Sequence, residues 1–181
     1  MFLLSKSHIN TLFDGKTFDT MLDIGAGDGN VTEKFKQTLV KGKITCTETS
    51  VKMLNVLTSK GYAITDKIEG EYDIVCLLNV LDRCDKPVSI LKAIHAVKKK
   101  YVIISIVLPF RGFYMDGLKK ANQLESLIGT YREWEESVHS LCKELVGLGF
   151  KIEKISRLPY LSEGDWKKEM YKLDAVIFVL S

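Results

Sequence analysis

The chain has 181 residues, with 26 Lys+Arg against 23 Asp+Glu, a net charge of +3. A chain of this length makes one domain that buries roughly 70% of its unfolded surface, and its three prolines and 13 glycines exclude a collagenous or low-complexity chain. The small charge gives no ground for a nucleic-acid partner, and the longest apolar runs fall short of the ~20 residues a membrane span needs.

The opening Met1-Phe2-Leu3-Leu4-Ser5-Lys6 turns polar quickly and has no basic start, so it does not read as a signal peptide. Cys46, Cys76, Cys84 and Cys142 lack metal-finger or redox spacing, and His8, His95 and His139 are scattered. Free thiols in a reducing, cytoplasmic setting and no metal centre are expected.

In chain order, Phe18 to Ile24 reads as a first strand running into glycines. Val31 to Leu39, with apolar residues at 31, 35 and 39, has helical spacing. Lys43 to Glu48 alternates as a second strand, and Val51 to Leu57 forms a second helix with Ser50 as its N-cap. Gly61 stops that helix, and Tyr62 to Thr65 makes a short third strand. Tyr72 to Leu78 is a continuous apolar run, as a central parallel strand covered on both faces would be. Asp85 to Val97 is helical, with Asp85 the expected N-cap and Pro87 near the first position. Lys98, Lys99 and Lys100 read as a solvated helix end before the strand Tyr101 to Leu108. Glu133 to Leu148 is an amphipathic helix, and Phe150 to Ser156 and Ala175 to Leu180 are two last strands, paired antiparallel at one edge. Seven strands with helices between the early ones predict an α/β three-layer sandwich around a mostly parallel sheet.

The most informative stretch is Met21-Leu22-Asp23-Ile24-Gly25-Ala26-Gly27-Asp28-Gly29-Asn30, between a strand and a helix. Glycines there allow a tight turn and a close approach of backbone to ligand. The dinucleotide fingerprint would need glycine at position 30, which is Asn30, so the loop suits an adenosine that carries an amino acid rather than a pyrophosphate. Glu48, at the end of the second strand, can accept both ribose hydroxyls. Asp23 and Asp28 flank the glycines and could hold the ligand's cationic end, and Asp66 after the third strand could receive an adenine amino group.

This combination resembles the seven-strand, Rossmann-like S-adenosylmethionine-dependent methyltransferases. The resemblance implies sheet order 3-2-1-4-5-7-6 with strand 7 antiparallel, one methyltransferase domain over residues 1–181, S-adenosyl-L-methionine as cofactor and S-adenosyl-L-homocysteine as product. Three further segments are more specific: Asn79-Val80-Leu81-Asp82-Arg83-Cys84-Asp85-Lys86-Pro87, Leu108-Pro109-Phe110, and Arg157-Leu158-Pro159-Tyr160-Leu161-Ser162-Glu163-Gly164-Asp165. With Trp134-Glu135-Glu136 they resemble the methyltransferase-like-nine (DREV) family of protein-histidine N-pros methyltransferases; Phe110 to Tyr131 matches least.

That resemblance implies protein or peptide substrates containing His-x-His. On it, Asp82 is the expected catalytic carboxylate, holding the proton of the target ring's other nitrogen. Asn79 contacts the cofactor or the ring, and Arg83, Pro109, Phe110, Arg157 and Tyr160 bound the substrate groove. Two other readings stay open: a methyltransferase for a small molecule or lipid, and a non-catalytic adenosyl-binding partner subunit.

Overall fold

The computed structural model describes residues 3–166 and 168–181; Met1 and Phe2, which open the stretch read above for a signal, lie outside the described residues. The first element has no clear sign in the sequence. It is α1 (Lys6–Leu12), begun by Ser5, whose hydroxyl accepts the His8 amide at 3.1 Å. Its buried positions are Ile9 and Leu12, too short a repeat to register as a period.

β1 (Phe18–Ile24) runs into the glycines and on to α2 (Asn30–Thr38), and β2 (Val40–Thr47), α3 (Val51–Ser59) and the two-residue β3 (Ala63–Ile64) follow. Ser50 occupies the cap position of α3, but its side chain makes no cap bond. Glu48 Oε1 accepts the amides just ahead of the helix, those of Thr49 at 2.7 Å and Ser50 at 3.0 Å. β4 (Tyr72–Leu78) leads to α4 (Pro87–Val97), whose cap position is Lys86, not the expected Asp85. Asp85 is engaged through its carbonyl, which accepts the amides of Leu124 at 2.8 Å and Glu125 at 3.3 Å.

β5 (Lys98–Leu108) takes in the three lysines expected to end the helix. As strand residues two of them reach neighbouring carboxylates, Lys99 to Glu71 at 2.9 Å and Lys100 to Asp73 at 3.1 Å. A small hairpin, β6 (Tyr114–Asp116) and β7 (Lys119–Ala121), precedes α5 (Trp134–Gly147). The chain finishes with β8 (Ile152–Asp165) and β9 (Lys168–Leu180).

The main sheet has the order β3-β2-β1-β4-β5-β9-β8. This is the expected order once the separate β6–β7 hairpin is left uncounted. The first five strands are parallel, and β9 is antiparallel to both β5 and β8. Alternate residues of each strand feed opposite cores. Leu22, Val75, Val102 and Phe178 face α4 and α5, whereas Met21, Cys76, Ile103 and Ile177 face α1, α2 and α3.

β8 and β9 are longer than the sequence predicts. β5 pairs with β9 only as far as Leu108↔Asp174, yet β8 and β9 continue pairing through Tyr160↔Leu173 to Asp165↔Lys168. The two strands therefore overhang the carboxyl end of β5 as a ribbon, and that end of the sheet is where the glycine loop lies.

Candidate functional site

The turn after β1 is shaped by the end of β2. Thr47 O accepts the amides of Gly25 at 3.0 Å and Ala26 at 3.1 Å, and the Gly29 amide bonds back to Ala26 O at 3.0 Å. The Gly27 amide donates to Glu48 Oε2 at 2.8 Å. Glu48 is therefore brought against the loop as the sequence predicts, and its two oxygens bridge the loop and the start of α3.

Gly25 and Gly27 have φ of +68° and +57°, the left-handed region that favours glycine. At Gly25 the second reason is contact, because an added Cβ would sit 2.6 Å from Val80 Cγ2. At Gly27 a Cβ would meet nothing within 4 Å, so this side of the loop is open to a ligand. An open, glycine-edged cradle next to a carboxylate fits an adenosyl group whose ribose hydroxyls are donors. Gly27 and Glu48 are the residues that would hold it.

The flanking aspartates are both engaged within the protein. Asp23 is 4% exposed, and its Oδ2 accepts the Thr32 hydroxyl at 2.6 Å. It ties α2 to β1 from within instead of facing the ligand's cationic end. Burial pushes its carboxyl up to about 7; the Thr32 bond opposes the shift and the nearby Glu48 charge adds to it. Asp28 is turned onto Asn30, accepting its backbone amide at 3.0 Å and its side-chain amide at 2.6 Å, so it closes the start of α2. Asp66 lies in the exposed bend after β3, at the same end of the sheet as Glu48.

The loop after β4 begins at Asn79, which has φ +57°, a region asparagine tolerates better than most residues. Ser105 of β5 fixes it twice: Asn79 Oδ1 accepts the Ser105 hydroxyl at 2.7 Å, and the Asn79 amide donates to Ser105 O at 3.0 Å. The turn carries Val80 over Gly25 and sends Asp82 inward. Asp82 is 3% exposed. Its Oδ2 meets Arg83 Nη1 at 2.7 Å, while Oδ1 is buried with no hydrogen-bond partner among the described residues. Burial raises the Asp82 carboxyl above the ordinary range, and the Arg83 charge opposes that rise.

Asp82 and Arg83 line a cleft of about 270 Å³ with Val107, Leu108, Pro109, Arg111 and Leu173. A second cavity of about 310 Å³ lies across Leu108 and Pro109, lined by Arg132, Glu133, Trp134, Glu135, Arg157 and Asp174. Pro109 thus belongs to both. Arg157 borders the second one, bonded to Asp174 at 2.8 Å and lying 4.8 Å from the Trp134 ring centre.

Two residues expected at the substrate groove are packed into the cores. Phe110, 5% exposed, packs in the core that faces α4 and α5. Tyr160, 6% exposed, packs in the opposite core beside Leu158 and Leu173. Conversely, Ser105, Thr47, Val80, Arg111 and Leu173 shape the site without having been expected. Of these only Ser105 carries a sequence signal, a polar residue inside the apolar run Tyr101 to Leu108.

Solved structures of low sequence identity share this fold. A candidate RNA methyltransferase from Pyrococcus horikoshii superposes with a TM-score of 0.65 at 14% identity, covering 97% of this chain and 78% of that one. An S-adenosylmethionine-dependent methyltransferase from Clostridium acetobutylicum gives 0.62 at 14% identity, covering 97% and 89%. A precorrin-6y C5,15-methyltransferase from Geobacter metallireducens gives 0.55 at 12% identity, covering 92% and 80%. Neighbours named for RNA and for a precorrin leave the acceptor open, since fold does not fix substrate. The sequence itself goes further. Residues 1–181 match the DREV methyltransferase family along their whole length, so the chain belongs to that family of S-adenosylmethionine-dependent methyltransferases.

Proposed function

We propose that this methyltransferase acts on the pros nitrogen of histidine in His-x-His segments of proteins, as the resemblance of its loop and strand-end motifs implies. The observation that carries the reading is the Asp82 carboxylate, buried at the edge of an open cleft with one oxygen paired and the other lacking a donor among the described residues. A buried acceptor left unpaired costs roughly 1–3 kcal/mol, a cost that a ring N–H would relieve.

The bound cofactor supplies an electrophilic methyl group. A neutral imidazole, with a reference pKa of about 6.5, is already a nucleophile at neutral pH and needs no strong base. What the chain must provide is orientation and a fixed tautomer. Asp82 Oδ1 would accept the N–H of the tele nitrogen, leaving the pros lone pair free to face the glycine loop. The same carboxylate stabilises the positive charge that grows on the ring, and the Arg83 charge beside it opposes the rise that burial causes. Asn79, braced by Ser105, fixes the turn on which Asp82 stands. Glu48 and Gly27 would hold the ribose and the loop edge.

A test is Asp82→Asn, assayed by radiolabelled methyl transfer to a His-x-His peptide. Turnover should fall about a hundredfold or more, the scale of general acid–base and tautomer effects, with S-adenosylhomocysteine affinity kept within about threefold by calorimetry. Wild-type turnover in the variant would remove Asp82 from the chemistry. Equal labelling of peptides in which alanine replaces both histidines would remove histidine as the acceptor.

A further inference from the structure

We infer that the 110–123 segment forms a cationic wall on one flank of the Asp82 cleft, and that this wall takes an acidic residue of the peptide substrate. The inference rests on the protein-substrate reading above and adds the charge required beside the target.

The segment is fastened to the loop that carries Asp82. The Phe113 amide donates to Asp82 O at 3.1 Å, and Gln123 Nε2 donates to Leu81 O and to Cys84 O, each at 2.7 Å. Phe113 then gathers positive charge. The Arg83 guanidinium carbon lies 4.2 Å from its ring centre and the Lys120 ammonium 3.8 Å. Arg83 also donates to Arg111 O at 3.4 Å, and both arginines line the cleft. Lys119, exposed, adjoins Lys120.

The local charge is one-sided. Arg83 is paired with Asp82, so Arg111, Lys119 and Lys120 stand against one carboxylate of the segment, Asp116, on a chain whose whole net charge is +3. Asp116 sits opposite Lys119 in the hairpin. Across the Leu108–Pro109 ridge, by contrast, Glu133, Glu135 and Asp174 outnumber Arg132 and Arg157. Positive charge is therefore unbalanced on the hairpin side, with Arg111 lining the cleft and Lys119 and Lys120 lying beyond it on the hairpin, Lys120 over the Phe113 ring. Complementary carboxylates there would lower KM and speed encounter, in a salt-dependent way.

The experiment compares three peptides that share one His-Gly-His centre and carry glutamate, glutamine or lysine on both flanks. Methyl transfer is followed at low and high salt. The glutamate peptide should have a KM about three to ten times lower than the glutamine peptide, as a few partly exposed ion pairs allow, and the lysine peptide the highest. High salt should collapse the series. The exposed double variant Lys119→Glu, Lys120→Glu should reverse the order. Equal KM values, or an order unchanged by the double variant, would overturn the inference.

If no histidine peptide is turned over, the histidine reading fails by itself. Fluorescence anisotropy of the same peptides, with S-adenosylhomocysteine present, then decides the wall by the same expected order. A short single-stranded RNA binding tenfold tighter than the glutamate peptide would also overturn the inference, in favour of a nucleic-acid substrate.

Discussion

Glu48 and Asp23 lie close in space and do different things. Glu48 bridges Gly27 and the start of α3 while sitting half-buried at the open side of the loop. If Glu48 holds the ribose as proposed, replacing it with alanine removes charge-assisted acceptors, each worth roughly 1.5–3 kcal/mol. The dissociation constant of S-adenosylhomocysteine should therefore rise at least about tenfold by calorimetry. Asp23 is a matter of stability. Its carboxyl is raised to about 7 in the folded chain from an ordinary 3.8. Between those values the native state holds a proton that the unfolded state has lost, so stability falls as pH rises from about 4 to about 7 and then levels. Asp23→Asn keeps an acceptor for Thr32 and removes the buried charge. It should stabilise the chain by roughly 1–3 kcal/mol at pH 8 and by nothing near pH 3, read from urea midpoints. Sequence spacing identifies Glu48 because a carboxylate ending the second strand must reach the turn after the first. It misplaces Asp23 because an aspartate beside a glycine turn looks alike whether its side chain faces ligand or core. Phe110 and Tyr160 mislead similarly, since an aromatic next to a strand-ending proline suits a pocket wall and a packed corner equally.

Among the elements, the parallel strands are the most legible: Phe18–Ile24 and Tyr72–Leu78 fall at the expected bounds because glycine or charge closes each apolar run. The β6–β7 hairpin is invisible because two three-residue strands carry no usable alternation. The ribbon of β8 and β9 is hidden for another reason, that its outer residues are largely polar and exposed, so pairing extends beyond any hydrophobic signal. Gly25 packs against Val80 and so joins the turn after β1 to the loop after β4. Gly25→Ala combines a left-handed backbone with a 2.6 Å contact. It should cost roughly 1–3 kcal/mol of stability, measured by denaturant titration. Val80→Ala added to it should recover part of the loss, because the clash is with a side chain, whereas the backbone strain would remain.

At the scale of the molecule, one sheet divides two cores, and β9 serves both: Phe178 and Val176 face α4 and α5, whereas Ala175, Ile177 and Val179 face the other helices. Phe178 is fully buried. Phe178→Ala should destabilise the fold by about 3–5 kcal/mol, lowering the urea midpoint and leaving the slope unchanged. The antiparallel place of β9 was legible from the missing helix between the last two strands. Its interior position in the sheet came from the family resemblance, not from any local pattern.

That position governs how the chain must be made. Every other strand of the sheet leaves the ribosome before β9, yet β9 is the plank between β5 and β8. Until it arrives, the nascent Tyr101–Leu108 segment has one naked edge, apolar along its length and able to pair with a neighbouring nascent chain. A ribosome stalled or a message cut shortly before the codon for Lys168 would release a species that cannot seal its own sheet, and aggregation or proteolysis would be its fate.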